Sequence, residues 1–272
     1  MSGSAPVPAG TGELDLQYGD TRPLAARGGL HARYAPMPWF PWVRERIGLS
    51  GGMDVLDAGC GPAWMWRSWA GSLPGTLRLT LLDRSASMVD EAGRNAAELG
   101  LDVAPVAVVG DAADLPFEAD AFHLVMLMHV LYHVPDPGAA LDEAVRVLRP
   151  GGRVAVATNM PAAFSELQSI AAAVLGGSAD DPGATIFSLD EAARALRARC
   201  AHVERFDLRD GYERIAPADA LGFLLSIPPG FQADEDGRAA LAEAEAVRRA
   251  ADRAGGTLRA TRHTGMVIGR TG

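Results

Sequence analysis

Short apolar runs alternate with amphipathic segments through the centre of the chain. Continuous or alternating apolar runs of this length favour strands, whereas apolar positions three or four apart favour helices. The runs predict strands at 53–58, 77–82, 103–109, 122–128 and 153–158. Helices are predicted at 64–71, at 87–99 with Ser85 as the N-cap, and at 137–148 with 150–152 as the stop. This alternation predicts an α/β fold with a doubly wound, mostly parallel sheet and helices on both faces.

The segments on either side of this alternation are less regular. Residues 1–13 are small, polar and proline-containing, which predicts a disordered leader. Residues 14–48 are rich in aromatic side chains and predict a helical unit before the first strand. Beyond the fifth strand, the pattern predicts helices at 164–175, 189–199, 217–227 and 236–254, a loop at 176–183, and strands at 202–208 and 264–269.

The overall composition narrows the class of partner. The formal net charge is −9 and the sequence contains no lysine, so we expect neither a phosphate-backbone partner nor Schiff-base chemistry. Cys60 and Cys200 fit no zinc or disulfide spacing and indicate a reducing compartment. The N-terminus lacks the order of a signal peptide, and the longest apolar run is too short to span a bilayer. We therefore predict a cytoplasmic protein without a membrane partner.

The strongest local signal is the glycine turn that follows the first predicted strand, Asp57-Ala58-Gly59-Cys60-Gly61. Glycines permit a tight turn and close approach of a ligand to the backbone. A dinucleotide fingerprint would have a third glycine where Trp64 stands, and a P-loop would end in Gly-Lys-Ser/Thr, which is absent. The carboxylate of Asp57, two positions before the first glycine, suits the α-ammonium of an amino acid rather than a pyrophosphate.

Two further carboxylates close the next two predicted strands. Asp83 can accept the hydroxyls of a ribose, and Asp111 with the amide of Ala112 can recognise the edge of an adenine. Because the carboxyl ends of parallel strands share one edge of a sheet, these groups should lie together with Asp57. The sequence therefore predicts a site for a nucleoside joined to an amino acid.

These motifs resemble those of the class I S-adenosylmethionine (SAM)-dependent methyltransferases, in the branch related to ubiquinone/menaquinone-biosynthesis and natural-product enzymes. The match is strong over residues 50–160. It is carried by Asp57 to Ala63, Leu81-Leu82-Asp83-Arg84-Ser85, Gly110 to Phe117, His129 to Asp136, and Leu148-Arg149-Pro150-Gly151-Gly152. The resemblance implies a Rossmann-like, seven-stranded sheet whose last strand is antiparallel, an N-terminal helical lid at 14–48, and a methyltransferase domain at 49–272. Substrate-cover segments would fall at about 160–190 and 211–256, with a helical insertion before the last strand.

The resemblance also implies which residues would hold SAM. The methionine part is assigned to Asp57, Ala58, Gly59 and Gly61, with backbone of Met128 beside the ammonium group. Asp83 is assigned to the ribose, Arg84 and Met88 to the flanks of the adenine, and Asp111 and Ala112 to its edge. Ala63 departs from the family, which commonly has glycine there, and we expect only a slight shift from its methyl group.

Other residues are candidates for chemistry or for the lid. His129 and His133 follow the fourth strand and could remove a proton from an acceptor; a structural role for His133 is the competing interpretation. Tyr18 and Arg27 are predicted to bind the cofactor from the lid, while the tryptophans of residues 39–42 are predicted to pack the first helices. Apolar residues of the cover predict a partly hydrophobic acceptor. They are Phe187, Phe223, Leu224, Leu225 and Phe231.

The predicted function is methylation of an O, N or C atom of a small metabolite, in a natural-product or other biosynthetic pathway. The predicted assembly is a monomer or homodimer, without a metal and without nucleic acid. Two alternatives remain: a SAM-binding enzyme that promotes cyclisation or decarboxylation without methyl transfer, and a non-catalytic small-molecule-binding module on the same fold.

Overall fold

The computed structural model describes residues 22–227 and 238–272 of the 272-residue chain. A mostly parallel sheet of seven strands lies at its centre, in the order β3-β2-β1-β4-β5-β7-β6. The strands are β1 (Asp54–Ala58), β2 (Arg78–Asp83), β3 (Val106–Val109), β4 (Phe122–Met128), β5 (Leu148–Asn159), β6 (His202–Ile215) and β7 (Leu258–Arg270). Strands β1 to β5 pair in parallel, and β7 is antiparallel to both β5 and β6. The predicted fold class is confirmed.

Helices cover both faces of the sheet, as the alternating pattern requires. They are α1 (Arg22–Tyr34), α2 (Trp39–Ile47), α3 (Trp64–Ser68), α4 (Ala86–Ala96), α5 (Pro137–Arg146), α6 (Ser165–Leu175), α7 (Pro182–Ile186), α8 (Leu189–Arg197), α9 (Pro217–Leu225) and α10 (Arg238–Arg253). The starts of several helices follow from local chemistry. The Ser85 hydroxyl accepts a hydrogen bond from the Met88 amide at the start of α4, as predicted. Asp136 caps α5 through the Ala139 amide.

Three apolar clusters hold these layers together. One joins a face of the sheet to α5 and α8, and a second joins the opposite face to α2, α3 and α4. In the third, side chains of α1, α6, α9 and α10 pack together on the outer parts of β6 and β7. This third cluster builds a helical cap beside the carboxyl ends of the parallel strands, so the fold itself creates a covered space there.

Strands β5, β6 and β7 and helix α7 differ from the sequence prediction. Strand β5 begins at Leu148, so Pro150-Gly151-Gly152 lies inside a strand rather than in a stop after α5; the register shifts opposite 122–124 to accommodate it. Strands β6 and β7 are longer than predicted, because polar residues beyond 208 and before 264 pair with one another. A short helix, α7, lies where a loop was predicted up to residue 183.

Some predictions concern residues that are outside the described ranges. The leader at 1–13, Tyr18 and Phe231 belong to this group. Among the described residues, none of the helices combines the length and the apolar character that crossing a bilayer demands.

Candidate active site

A cavity of about 640 Å³ opens at the carboxyl edge of the parallel strands, under the helical cap. Its lining contains every described residue that was predicted to bind the cofactor or to act on the acceptor, except Ala58. These are Arg27, Asp57, Gly59, Gly61, Asp83, Arg84, Met88, Asp111, Ala112, Met128, His129 and His133. Ala58 is different: it is fully buried in the core and does not line the cavity. The convergence predicted for the strand ends is therefore present in the structure.

Asp57 lies in the floor of the cavity and is 2% exposed. Its Oδ2 accepts a hydrogen bond from Trp66 Nε1 at 2.7 Å. Its buried Oδ1 has no hydrogen-bond partner within the described part of the chain. Burial raises the pKa of Asp57 to about 7; the Trp66 hydrogen bond opposes this shift, and nearby Asp83 adds to it. A buried acceptor without a donor is costly, so the site favours a ligand that brings a cationic donor to Oδ1.

Backbone amides hold both oxygens of the Asp83 carboxylate. Its Oδ2 accepts from the Gly61 amide and its Oδ1 from the Ser85 amide, each at 2.9 Å. Burial raises the pKa of Asp83, and these backbone hydrogen bonds partly counteract the rise. Because a carboxylate oxygen can accept more than one hydrogen bond, both oxygens can still receive hydroxyl donors from the cavity.

The glycine turn brings bare backbone to the cavity. Gly59 and Gly61 have φ values of +82° and +52°, which glycine adopts without strain. Amides of Gly59 and Cys60 donate to the Leu82 carbonyl, which fixes the turn against β2. Ala63 also has a positive φ, of 56°, at the start of α3. This conformation explains why glycine suits the position, and Ala63 bears the strain with its side chain buried.

Another part of the cavity lining is formed by residues that follow β2 and β3 in the sequence. Asp111 is exposed at the rim, where its Oδ1 accepts from the Ala113 amide at 2.9 Å. Ala112 and Met88 are buried beside it, and Arg84 lies exposed at the same rim. Apolar and acidic side chains thus lie side by side in this part of the lining.

The two candidate histidines both line the cavity. His129 has a φ of +57°, donates its amide to the Ala157 carbonyl at 2.9 Å, and lies edge-on to Trp39 at 5.3 Å between ring centres. Burial, followed by the charge of Arg27, lowers the pKa of His129 to about 4 and that of His133 to about 3. Each ring keeps surface toward the cavity but is otherwise enclosed by protein, so both imidazoles are neutral near neutral pH.

Residues of helices α1 and α2 line one side of the cavity; that these helices act as a lid remains a prediction. Arg27 and His31 of α1 and Trp39 of α2 reach the lining. Trp39 stacks on Trp42 at 5.1 Å, and Trp42 is buried in the core. The packing predicted for these tryptophans is confirmed, since both pack in the cluster with α2, and Trp39 in addition lines the cavity.

The sequence analysis missed several lining residues. They are His31, Asn159, Gln168, Asp181, Arg262 and Thr264. Asp181 caps α7 and accepts from Asn159 Nδ2 at 3.0 Å. Arg262 is buried and pairs with Asp210. No motif carries these residues, which come from three separate parts of the chain.

Only part of the predicted apolar cover reaches the cavity. Phe223 lines it, together with Leu24, Phe164, Ile186 and Ile227. Phe187 and Leu224 are instead buried in the apolar clusters, because their side chains turn toward the sheet and the cap. The described residues contain no group of three metal-ligating side chains that could hold an ion.

The sheet order, with its antiparallel seventh strand, and a glycine turn followed by carboxylates at successive strand ends together define the class I methyltransferase fold. Residues 56–156 match the protein family described as "Methyltransferase domain". The resemblance predicted from the motifs is confirmed, and the matched segment contains all five of the motif runs quoted for it, from Asp57 to Gly152.

Similar proteins support the same class. Methyltransferase GfsG of Streptomyces halstedii is 31% identical over 137 residues, which are 49% of this chain and 46% of that protein. Demethylmenaquinone methyltransferase of Staphylococcus aureus is 36% identical over 117 residues, 43% of this chain and 47% of that protein. The chain thus matches less than half the length of these relatives. The crystal structure of the [4+2]-cyclase SpnF has a TM-score of 0.58 at 22% identity, covering 97% of this chain and 98% of that one.

Proposed function

We propose that the protein is a SAM-dependent methyltransferase that methylates an O, N or C atom of a small, partly hydrophobic metabolite in a biosynthetic pathway. The observation that carries this proposal is the buried, unpartnered Oδ1 of Asp57 at the end of β1, beside the bare backbone of Gly61. That pairing of an anionic acceptor with an open glycine turn fits an amino-acid ammonium group. The methyltransferase-domain match over 56–156 supports it.

The residues present fit this cofactor. Asp57 would take the ammonium group, Asp83 the ribose hydroxyls, and Asp111 with Ala112 the adenine, while Met88 would pack against the ring. Arg27 of the lid would lie on the amino-acid side. Bound SAM supplies an activated methyl group on a sulfonium, so the chain's own task is to position the acceptor and exclude water.

The remaining cavity has the composition expected for an acceptor site. Apolar side chains line it from α1 (Leu24), from Phe164 just before α6, from α7 (Ile186) and from α9 (Phe223), and polar side chains lie among them. The acceptor is therefore a molecule small enough to be enclosed by the helical cap rather than a polymer. Of these, Phe164, Ile186 and Phe223 fall within the proposed substrate cover at about 160–190 and 211–256.

His129 and His133 are proposed to act on the acceptor as neutral imidazoles. Each can accept a proton from an acceptor hydroxyl or amine through a ring nitrogen. Since burial and the charge of Arg27 disfavour their protonated forms, their contribution would be to orient the acceptor and accept its hydrogen bond. A strong base is required only for weakly acidic acceptors.

The alternative, SAM-dependent cyclisation or decarboxylation without methyl transfer, is favoured by one observation. The protein named as a [4+2]-cyclase shares the fold across nearly its whole length. The fold alone therefore does not imply methyl transfer.

Two measurements test the proposal. Calorimetry with S-adenosylhomocysteine should show saturable binding to the folded protein. Turnover with SAM and a panel of phenols, amines and enolisable ketones should release S-adenosylhomocysteine in a one-to-one ratio with methylated product. Product formed without that release would favour the cyclisation alternative, and failure of both cofactor forms to bind would reject the proposal.

The affinity for S-adenosylhomocysteine is expected to depend on pH through Asp57. In the ligand-free protein the pKa of this carboxyl is about 7, so below that pH it is protonated and cannot pair with the ammonium group. Affinity should weaken as pH falls below 7, by up to about tenfold per pH unit, and binding near pH 6 should release protons. Calorimetry in buffers of different ionisation enthalpy measures both effects.

Adenosine provides the matched control, because it has the ribose and adenine but no ammonium group. Its affinity should change little over the same range. An equal pH dependence for the two ligands would show that another group, such as Asp83, is responsible.

A further inference from the structure

His31 reaches the cavity from α1 and is anchored by a residue far away in the sequence. Its Nδ1 lies 2.7 Å from the hydroxyl oxygen of Tyr212 on β6. Tyr212 is completely buried and packs edge-on against the imidazole at 5.8 Å between ring centres. The ring of His31 is thus held in place, and Nε2 is the nitrogen that remains for a ligand.

The hydrogen-bond direction at Tyr212 determines the tautomer of His31. Asp210 accepts two hydrogen bonds from Arg262, Nε to Oδ1 at 2.9 Å and Nη2 to Oδ2 at 2.5 Å. Arg262 lies over the Tyr212 ring. Burial raises the pKa of Tyr212, so the phenol stays protonated, and we assign its hydrogen to the contact with His31 Nδ1 at 2.7 Å, since Arg262 occupies both oxygens of Asp210. The imidazole proton is then on Nε2.

The imidazole is also uncharged in this environment. Burial, followed by the charge of Arg262 and then by His129 and Arg27, lowers the pKa of His31 to about 3. At neutral pH His31 is therefore an uncharged hydrogen-bond donor. Such a donor suits an uncharged carbonyl or hydroxyl oxygen better than a fully charged carboxylate.

A second polar group borders the same wall. Gln168 is 1% exposed and lines the cavity, and its backbone N–H donates to the Phe164 carbonyl at 2.9 Å. The Phe164 ring lies 5.6 Å from that of His31 and 5.1 Å from that of Phe223. His31, which Tyr212 holds in place, and the buried Gln168 thus border an aromatic surface. This arrangement recognises an apolar molecule with a localised oxygen function.

We propose that His31 donates from Nε2–H to an uncharged carbonyl or hydroxyl oxygen of the acceptor, with Gln168 beside it, and so selects oxygen-bearing apolar acceptors. This inference rests on the proposed function, because it places the acceptor in the cavity beside the cofactor. His31 is a specificity-determining residue, and Tyr212 is a positioning residue that fixes its tautomer.

The tautomer can be measured without knowing the natural acceptor. In protein labelled with ¹⁵N-histidine and saturated with S-adenosylhomocysteine, the His31 resonances, assigned with His31→Phe, should report a neutral ring protonated at Nε2. Tyr212→Phe removes only the phenol oxygen and should abolish this fixed tautomer while the protein stays folded. A ring protonated at Nδ1, or doubly protonated at neutral pH, would overturn the proposal.

Simple probes then test recognition. Acetophenone carries a carbonyl, ethylbenzene has the same shape without it, and benzoate carries a full charge. Titrated at millimolar concentrations into the S-adenosylhomocysteine complex, acetophenone should shift the His31 Nε2 resonance. Its affinity should fall roughly tenfold in His31→Phe, the loss expected for one hydrogen bond, whereas that of ethylbenzene should not.

His202→Phe is the matched control, since His202 lies exposed on β6 away from the cavity. It should leave the binding of all probes unchanged. Equal binding of acetophenone and ethylbenzene, an unshifted His31 resonance, or His31-dependent preference for benzoate would each overturn the proposal. If S-adenosylhomocysteine itself does not bind, the proposed function fails; if it binds and these results appear, only the role of His31 fails.

Discussion

Asp57→Asn is expected to weaken S-adenosylhomocysteine binding by about 100-fold while stabilising the ligand-free protein at alkaline pH. The asparagine oxygen can still accept from Trp66 Nε1, but the carboxylate that would receive the ammonium group is gone. Losing one partner of a buried, charged hydrogen bond costs about 2–4 kcal/mol. Calorimetry of ligand binding measures this part of the prediction.

The gain in stability follows from the direction of the Asp57 pKa shift. The folded-state pKa of about 7 lies above the ordinary value of 3.8, so the folded protein binds this proton more tightly than the unfolded chain. The free energy of unfolding therefore decreases as pH rises from about 4 to 7, and the full penalty is present above 7. Asparagine avoids that penalty, which for a shift of about three pKa units is on the order of 4 kcal/mol.

Thermal unfolding at about pH 5 and about pH 8 separates the two effects. The variant should melt higher than wild type at both values, and the difference should be clearly larger at the upper pH, because the penalty grows from about pH 4 until the folded-state carboxyl ionises near pH 7. Asp114→Asn is the control, because Asp114 is exposed and does not line the cavity; it should alter neither property. If Asp57→Asn bound S-adenosylhomocysteine with near-wild-type affinity, Asp57 would not hold the ammonium group, and the proposed function would lose the observation on which it depends.

The residues on the cofactor side of the site could be predicted from the sequence, because each of them belongs to a short local motif. Asp57, Asp83 and Asp111 each end a short apolar strand, and the parallel arrangement alone places such ends at one edge. Their roles as ligands of the cofactor remain predictions. The turn glycines were recognisable for the same reason, since a positive φ is required directly after β1.

The residues of the proposed acceptor side could not be predicted from the sequence, because they come together through contacts between distant parts of the chain. His31 and Tyr212 are 181 positions apart, and their hydrogen bond has no counterpart in any local pattern. The strand extensions that carry Tyr212 and Arg262 were also missed. Their sequences are polar and contain Gly211, which normally indicates a strand end. The helical cap buries these residues and so overrides the local signal.

The same override explains β5. Pro150-Gly151-Gly152 has the composition of a loop, yet the backbone pairs from Leu148 onward. Gly151 has a φ of +73°, so the glycine allows an irregular strand start instead of ending an element. The proline and the glycines therefore correctly predicted an irregular backbone here, but they did not show that it lies inside a strand.

The two turn glycines should respond differently to the same substitution. A Cβ at Gly61 would have no atom within 4 Å, and this residue lines the cavity. Gly61→Ala should therefore cost the ligand-free protein only about 1 kcal/mol, from the positive φ. The added methyl group would occupy space next to the backbone that the ligand must approach, so S-adenosylhomocysteine should bind at least about tenfold more weakly.

At Gly59 the added Cβ would lie 2.4 Å from Cγ2 of Val130 and 2.8 Å from its Cβ, and φ is +82°. Overpacking and backbone strain then act together, and Gly59→Ala should lose about 3 kcal/mol or more of folding free energy. Urea unfolding and calorimetric titration of both variants give a two-by-two comparison. Wild-type affinity in Gly61→Ala would mean that no ligand approaches the turn, whereas wild-type stability in Gly59→Ala would contradict the close packing of Val130. Gly61 thus tests the cofactor site separately from the fold, because its substitution leaves the turn intact while changing only the surface offered to the ligand.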